Sequence, residues 1–554
     1  MNDRISIARR IAERLEETPD RVLMRYLARG EEETHSLTCA EIHAAGLRIC
    51  TGLLAAGLGG KRVLLVMETG PEFLSALMGC LYASVIAIPC PEPRPGASLE
   101  RLEGIASNSR AAAMLVSARV AADLERRAGS ERQLAGLPQL LLEELAAAPV
   151  ADGCPGWSAA ADAPAIVQYT SGSTRSPRGV VLDSACIGAN VSMASRGLDV
   201  GQNGAIDTIV NWMPHYHDMG LIGNILTPLI KGIETIHMSP LAFAQRPSRW
   251  LNAMSRYRAT VSGAPAFAFA LCTERVSDEL IDTLDLSSWK TAFCGAEPVF
   301  AATLEAFRNR FARAGLRPRS VFTCYGLAEC TLYAAGSHGP DRPEVANSSA
   351  ERAPCWLDEA SREAMRVVGS DRKALGDGEE GEIWLSGLSL AAGYLDDEEA
   401  TEAIFRCRLD PDDGRDYLRT GDLGRIVGDR LVITGRIKDI LISAGVNVAA
   451  VDIEHYATRD FPFLNSAAAA AFQGMQDAGG LTALIVERHR GVQITMDPPE
   501  VIREMRGAVL AAVGLSLDRI EIVSPGTLPR TTSGKIRRAA ARDAWVESNL
   551  SAAL

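Results

Sequence analysis

The twelve cysteines of this 554-residue chain form no C-x-x-C pair and show no zinc-ligand spacing. That excludes a cysteine-built zinc module. Scattered thiols of this kind are expected to stay reduced in a cytoplasmic enzyme. No run of 18 uninterrupted apolar residues occurs, so no membrane span is expected. Ala467 to Phe472 is apolar but far too short. Met1 to Glu17 lacks the apolar core of a signal peptide and instead alternates apolar and charged residues at helical spacing. There is no basic stripe, and the formal charge is −12, which argues against a nucleic-acid partner. The nearest approach to a basic cluster is Lys535-Ile536-Arg537-Arg538. Internal repeats and long low-complexity segments are also missing.

What remains is a chain with 47% hydrophobic and 23% charged residues. It is too long for one ordinary core, so several subdomains are expected. Arg62–Met67 and Val85–Pro89 read as strands, and Glu72–Tyr82 between them has helical spacing. Strand, helix, strand in that order predicts a parallel α/β layer. Pro89–Pro95 is a loop that stops the second strand. Apolar runs recur at Ala165–Tyr169, Thr208–Trp212, Thr235–Met238, Thr260–Ser262 and Thr291–Cys294. Asp410–Asp416 is acidic and turn-rich, and reads as an exposed loop.

The character changes near Gly435. Leu481–Val486 reads as a strand and Pro499–Val513 as a helix. The expected architecture is therefore α/β: a large N-terminal domain of α/β-layered subdomains over 1–434, and a small C-terminal α+β domain over 440–554. Residues 435–439 form the boundary.

One segment carries phosphate chemistry on its face: Tyr169-Thr-Ser-Gly-Ser-Thr-Arg-Ser-Pro-Arg-Gly179. It is small, hydroxylated and glycine-bearing, and lies between two apolar strands. Such a loop can turn backbone N–H groups and hydroxyls toward phosphate oxygens, and Arg178 can add a charge-assisted contact. It lacks the Gly-Lys-Ser/Thr of a Walker A loop. A Ser/Gly/Thr run by itself is more often a flexible surface loop; the flanking strands and the motifs that follow reverse that preference here. His215 and His217 form an H-x-H pair, but no cysteine or third ligand accompanies it, so a metal site there is not expected.

With its other motifs in order along residues 10 to 545, the chain resembles the adenylate-forming superfamily of acyl-CoA synthetases, luciferases and peptide adenylation domains. Within it, fatty acyl-AMP ligases are the nearest match. The 170–179 segment resembles the family's phosphate loop. Trp212-Met-Pro-His-Tyr-His-Asp-Met-Gly-Leu-Ile-Gly223 resembles its acyl-pocket segment, and Phe293-Cys-Gly-Ala-Glu-Pro298 its adenine segment. Tyr325-Gly-Leu-Ala-Glu329, Arg419-Thr-Gly-Asp422, Gly435-Arg-Ile-Lys-Asp439 and Thr531-Thr-Ser-Gly-Lys-Ile-Arg537 resemble the nucleotide–Mg2+, ribose, hinge and catalytic-lysine motifs.

The resemblance implies a reaction of ATP and Mg2+ with a carboxylic acid to give acyl-AMP. It implies that the small C-terminal domain is mobile, and it implies Lys535, His217, Arg436 and Lys438 as catalytic residues. Thr170, Ser171, Gly172, Ser173, Thr174, Arg178, Gly295, Ala296, Glu297, Pro298, Tyr325, Gly326, Leu327, Asp422 and Arg436 would bind nucleotide. His217, Asp218, Met219, Gly220, Gly263, Ala266 and Phe269 would line the acyl pocket, and Glu329 with Thr174 would hold Mg2+. An acyl carrier protein is the expected acceptor, with CoA as the alternative; a non-catalytic binder on the same fold is the reading from another class. Two departures matter. Ala266, Phe269 and Ala270 stand where the family is more polar or larger, which predicts a wider acyl site. The Leu332–Gly381 stretch is short, which weakens the distinction between carrier protein and CoA.

Overall fold

The structure is a computed structural model that describes residues 5–93, 98–127, 134–150, 153–170, 177–202, 204, 206–337, 352–443, 446–474, 481–492, 496–531 and 534–546. Two seven-stranded sheets dominate. The first runs Val321–Thr323, Thr291–Cys294, Val261–Ala264, Thr208–Asn211, Glu234–Met238, Val22–Leu27, His35–Thr38. All of its neighbours are parallel except the last pair. The second runs Gly393–Tyr394, Gly179–Asp183, Pro164–Tyr169, Ile86–Cys90, Arg62–Val66, Ala113–Val116, Gln139–Leu141. It is parallel from Pro164–Tyr169 onward and antiparallel at the other edge.

Strands covered on both faces are largely apolar. Val261–Ala264, Thr291–Cys294 and Ala113–Val116 are buried throughout; the first two overlap runs that stand out in the sequence, while Ala113–Val116 is a strand the sequence reading does not mark. The helix Pro71–Tyr82 begins with proline at its first turn, where a missing N–H is harmless. It packs on the helix Cys39–Ala55, and a Cβ on Gly79 would lie 2.2 Å from Ile49. Glycine there lets the two helices touch. Beneath the first sheet, Trp212 stacks on Phe243 with ring centroids 3.8 Å apart, and Phe269 meets Phe307 at 4.9 Å. Each fully buried ring of this kind stabilises the fold by about 1.5–3 kcal/mol.

A five-stranded antiparallel sheet follows, in the order Cys355–Trp356, Arg430–Arg436, Leu418–Val427, Gly381–Leu385, Met365–Val368. The acidic loop 410–416 is exposed, as expected. Beyond it the chain forms a hairpin, Ile440–Ser443 with Val446–Ala449, and a three-stranded sheet of Leu464–Gln473, Thr482–Arg488 and Arg519–Val523. The helices Ala450–Thr458 and Pro498–Val513 cover it. Residues from Leu441 to Ile522 pack a core of their own. The molecule is thus a large α/β part followed by a smaller α+β part. Among the described residues no helix is long and apolar enough to cross a membrane.

Candidate active site

A cleft of about 1670 Å3 lies where the three N-terminal sheets meet the C-terminal part, and both parts line it. Its wall is made where parallel strands end, as in other open α/β sheets. Asn211 leads into the segment with His217 and Asp218, Ala264 into Ala266, Cys294 into Ala296, and Thr323 into Tyr325.

On one wall Tyr325 donates its hydroxyl to Asp422 Oδ2 at 2.8 Å, and Arg436 Nε lies 2.9 Å from Asp422 Oδ1. Burial pushes the Asp422 carboxyl up, and Arg436 pulls it back. Asp422 lies within the strand Leu418–Val427 rather than in a turn, next to an irregularity in its pairing where Gly421 takes φ of +71°, a conformation that glycine adopts without cost. The buried Glu382 holds that stretch. It accepts from Gly421 N at 3.1 Å, Arg419 Nε at 2.9 Å and Trp384 Nε1 at 3.0 Å.

Glu329 sits deeper. Its carboxylate accepts the Tyr394 hydroxyl at 3.0 Å, and burial pushes its pKa up. Arg178 lies over the Tyr394 ring at 5.3 Å. A carboxylate on the cleft wall that is held by a phenol and feels Arg436 and Lys438 only at a distance is the kind of donor a hard cation takes. Mg2+ commonly uses one or two carboxylates and fills its other positions with phosphate and water oxygens. Glu329 therefore fits Mg2+. No group of three or more His, Cys, Asp or Glu suited to a metal occurs among the described residues.

The opposite wall carries the His217 segment. His217 Nδ1 lies 2.7 Å from Asp218 Oδ1. Burial pushes Asp218 up, but His217, Lys535 and the Met219 N–H together hold its carboxyl below the ordinary value. Asp218 also caps the π-helical stretch Met219–Leu226 through Met219 N at 2.6 Å; such stretches are frequent at functional sites. His215 belongs to the core. Its Nδ1 meets Thr69 Oγ1 at 2.7 Å, its Nε2 meets the Cys90 carbonyl at 3.2 Å, and burial drops its pKa to about 3.

Lys535 enters from the C-terminal part and donates to the Ala296 carbonyl, 239 residues away. Ala296 takes φ of +68°, strained for a residue with a Cβ. Its neighbour Glu297 is raised by burial and accepts from Phe267 N at 2.8 Å. Lys438 also lines the cleft, with its pKa lowered by burial. Arg538, three residues past Lys535, grips Glu454 with two contacts of 2.6 Å and Asp439 at 3.1 Å. The lysine loop is thereby tied to the segment 435–439.

Of the residues expected to form a site, Thr170, Arg178, His217, Asp218, Met219, Ala266, Ala296, Glu297, Pro298, Tyr325, Gly326, Leu327, Glu329, Asp422, Arg436, Lys438 and Lys535 line this one cleft. Ser171, Gly172, Ser173 and Thr174 lie outside the described residues, and so does the expectation that Thr174 helps bind metal. The ends of their loop are described: Thr170 N donates to the Arg178 carbonyl at 3.1 Å.

Phe269 needs correction. It is fully buried between Trp250 and Phe307 and does not reach the cleft. In the helix Ala266–Arg275, positions 267, 270, 271 and 274 share the cleft face, so Phe267, Ala270 and Leu271 line it while Phe269 and Cys272 face the core. Gly220, Gly263 and Gly295 do not line the cleft either; they are points of close packing. A Cβ on them would lie 2.0 Å from the Pro214 carbonyl, 2.2 Å from the Phe293 ring and 2.6 Å from the Cys324 carbonyl, respectively. Sequence reasoning missed Tyr394, Glu382, Phe267, Phe293 and Arg101. Only the aromatic character of Phe267 and Phe293 was a usable signal.

The AMP-binding enzyme family matches residues 11–395, and the chain belongs to that family. Among its relatives is the medium-chain-fatty-acid–[acyl-carrier-protein] ligase JamA of Moorena producens, 33% identical over 95% of this chain and 92% of that protein. Another is the long-chain-fatty-acid–AMP ligase FadD23 of Mycobacterium tuberculosis, 33% identical over 91% of this chain and 90% of its own. Among solved structures, one from a study of fatty acyl-adenylate ligases from E. coli and L. pneumophila superposes with a TM-score of 0.85 at 28% identity, covering 98% of this chain and 99% of the other. The L. pneumophila fatty acyl-adenylate ligase in complex with acyl adenylate and pyrophosphate gives 0.71 at 29% identity, over 98% and 96%.

Proposed function

We propose that the protein is an acyl-adenylate-forming ligase that activates a hydrophobic carboxylic acid with ATP and passes the acyl group to the phosphopantetheine thiol of a carrier protein. The observation that carries this reading is the convergence of Lys535, Asp422, Glu329 and His217 on one cleft with a long apolar arm. Leu198, Val200, Ile209, Val261, Leu271 and Phe293 line that arm. Relatives that are acyl-carrier-protein ligases support the acceptor; CoA is the less supported alternative.

In the reaction a carboxylate oxygen attacks the α-phosphorus, the bond to the bridging oxygen breaks, and pyrophosphate leaves. Both reactants are anions, so the site must supply fixed positive charge and dipoles. Lys535 is placed to bridge carboxylate and α-phosphate. Asp422 would accept the ribose hydroxyls, with Arg436 holding its carboxylate in place. Tyr325, Ala296, Glu297, Pro298, Gly326 and Leu327 form the nucleotide wall, with Gly295 packed behind it; Thr170 to Thr174 and Arg178 would take the phosphates. Glu329 would hold Mg2+, which supplies charge neutralisation between phosphate oxygens. His217, with Asp218 fixing its ring, closes the acyl arm beside the phosphates; Met219, Ala266, Phe267 and Ala270 shape that arm. We read residues 1–434 as the adenylating part, 435–439 with Lys438 as the hinge, and 440–554 as the lid that brings Lys535. Twelve cysteines without a disulfide suit a cytoplasmic setting.

The test is incubation with ATP, Mg2+, CoA and a panel of linear and bulky acids, with products read by mass spectrometry. Acyl-AMP without acyl-CoA, and acyl transfer once a carrier protein is added, is the expected result. Abundant acyl-CoA would make CoA the acceptor, and absence of any acyl-AMP would overturn the reading.

A further inference from the structure

Four cations that line the cleft, Arg101, Arg178, Lys535 and Arg537, make no ion pair among the described residues. Their neighbours behave differently: Arg436 is paired with Asp422, Arg538 with Glu454, Arg419 with Glu382 and Arg530 with Glu487. Arg178 and Lys535 already have roles in the motifs discussed above. Arg537 closes the Thr531–Arg537 motif but has been given no role there, and Arg101 lies outside every motif.

Arg101 comes from the helix Glu100–Ser109 and reaches the start of the hydroxyl-rich loop, where its Nη2 donates to the Thr170 carbonyl at 3.4 Å. Its Nε is buried without a partner. Burial lowers its pKa, and Arg537 adds repulsion. Arg537 stands two residues past Lys535, with its backbone N–H fixed on the Pro529 carbonyl at 2.9 Å. A guanidinium drawn out of water that feels the charge of a second one lining the same cleft, neither of them ion-paired among the described residues, is in an unfavourable arrangement until an anion arrives. The planar fork of arginine matches phosphate oxygens in pairs.

We propose that Arg101 and Arg537 hold the β- and γ-phosphates of ATP and then the departing pyrophosphate, Arg101 from the large part and Arg537 from the small one. This rests on the adenylation reading above and adds two binding residues to it. It also gives the reaction's leaving group a seat built from both parts. The phosphate of phosphopantetheine is the competing occupant. The position of Arg101 against Thr170 favours pyrophosphate, because Thr170 opens the segment to which we assign the phosphates.

The experiment is acid-dependent exchange of labelled pyrophosphate into ATP, measured with the full chain as wild type, Arg101→Ala, Arg101→Lys and Arg537→Ala. Transfer of preformed acyl-AMP to a carrier protein is measured alongside. The expected result for Arg101→Ala is a rise of about tenfold or more in KM for pyrophosphate. KM for the acid and the transfer rate should be unchanged, and Arg101→Lys should recover part of the loss. An unchanged KM for pyrophosphate overturns the assignment. So does an equal rise in KM for the acid, which would mark a merely structural arginine. Slowed transfer with normal exchange would give the site to phosphopantetheine instead. If the wild type itself shows no acid-dependent exchange, the adenylation reading fails first.

Discussion

Replacing Lys535 with alanine removes a cation from the centre of the cleft and leaves the two cores untouched. The side chain is half-buried on a short loop pinned by Thr531, whose N–H donates to the Lys535 carbonyl at 2.7 Å. A unit charge about 4 Å from developing charge, at an effective dielectric near 20, is worth roughly 4 kcal/mol. Water entering the vacated space recovers some of this, so the net loss is about 2–4 kcal/mol. That corresponds to a fall of roughly 30-fold to 1000-fold in the rate of acyl-AMP formation. Because Lys535 takes no part in the Tyr325–Asp422–Arg436 contacts and reaches Asp422 only through its charge, nucleotide affinity should change far less than rate. The assay is single-turnover formation of acyl-AMP under saturating ATP, with ATP affinity measured independently. A variant that turns over at the wild-type rate would refute the placement of Lys535 at the reacting atoms. A loss confined to ATP affinity would refute it equally.

Tyr394→Phe removes the hydroxyl that stabilises the ionised form of Glu329, whose pKa burial already raises. The carboxyl should rise further, so the acid limb of the rate–pH profile moves to higher pH and more Mg2+ is needed at mildly acid pH; an unmoved limb counts against Glu329 as the ligand. Gly263→Ala places a Cβ 2.2 Å from the Phe293 ring. It should cost about 1–3 kcal/mol in thermal unfolding and displace that ring into the acyl arm, shortening the range of acids accepted. Ala270→Phe should exclude bulky acids in a substrate panel, whereas Phe269→Leu should lower stability by about 1 kcal/mol and leave the acid profile as it is.

The parallel strands were legible because burial on both faces demands continuous apolar runs, and Arg62–Val66, Ile86–Cys90 and Thr291–Cys294 fall where those runs lie. Residues that immediately follow such strands, from His217 to Tyr325, were legible as site residues through the motifs that resemble the family's; the fold adds why they meet, because the ends of parallel strands deliver them to one edge. The acyl wall was harder. Ala266-Phe-Ala-Phe-Ala-Leu271 is apolar on every side, so its spacing does not say which phenylalanine faces the core. Only packing against Trp250 and Phe307 decides for Phe269. Tyr394 and Glu382 act through contacts made across 65 and 39 residues, and nothing local marks a tyrosine or glutamate as a tertiary partner. Arg101 was invisible for a different reason: its interest lies in an absent counter-charge, which a sequence does not display.

The cleft opens at a seam between the separately packed cores of the large and small parts. Anything bound there acts as mortar. A nucleotide present at a hundred times its Kd adds about 2.7 kcal/mol to whatever conformation binds it, and here that conformation is the joined one. Substrate therefore sets how firmly the small part is held, and loss of pyrophosphate, which we seat between Arg101 and Arg537, loosens the joint at the moment the acyl group is ready to be handed on.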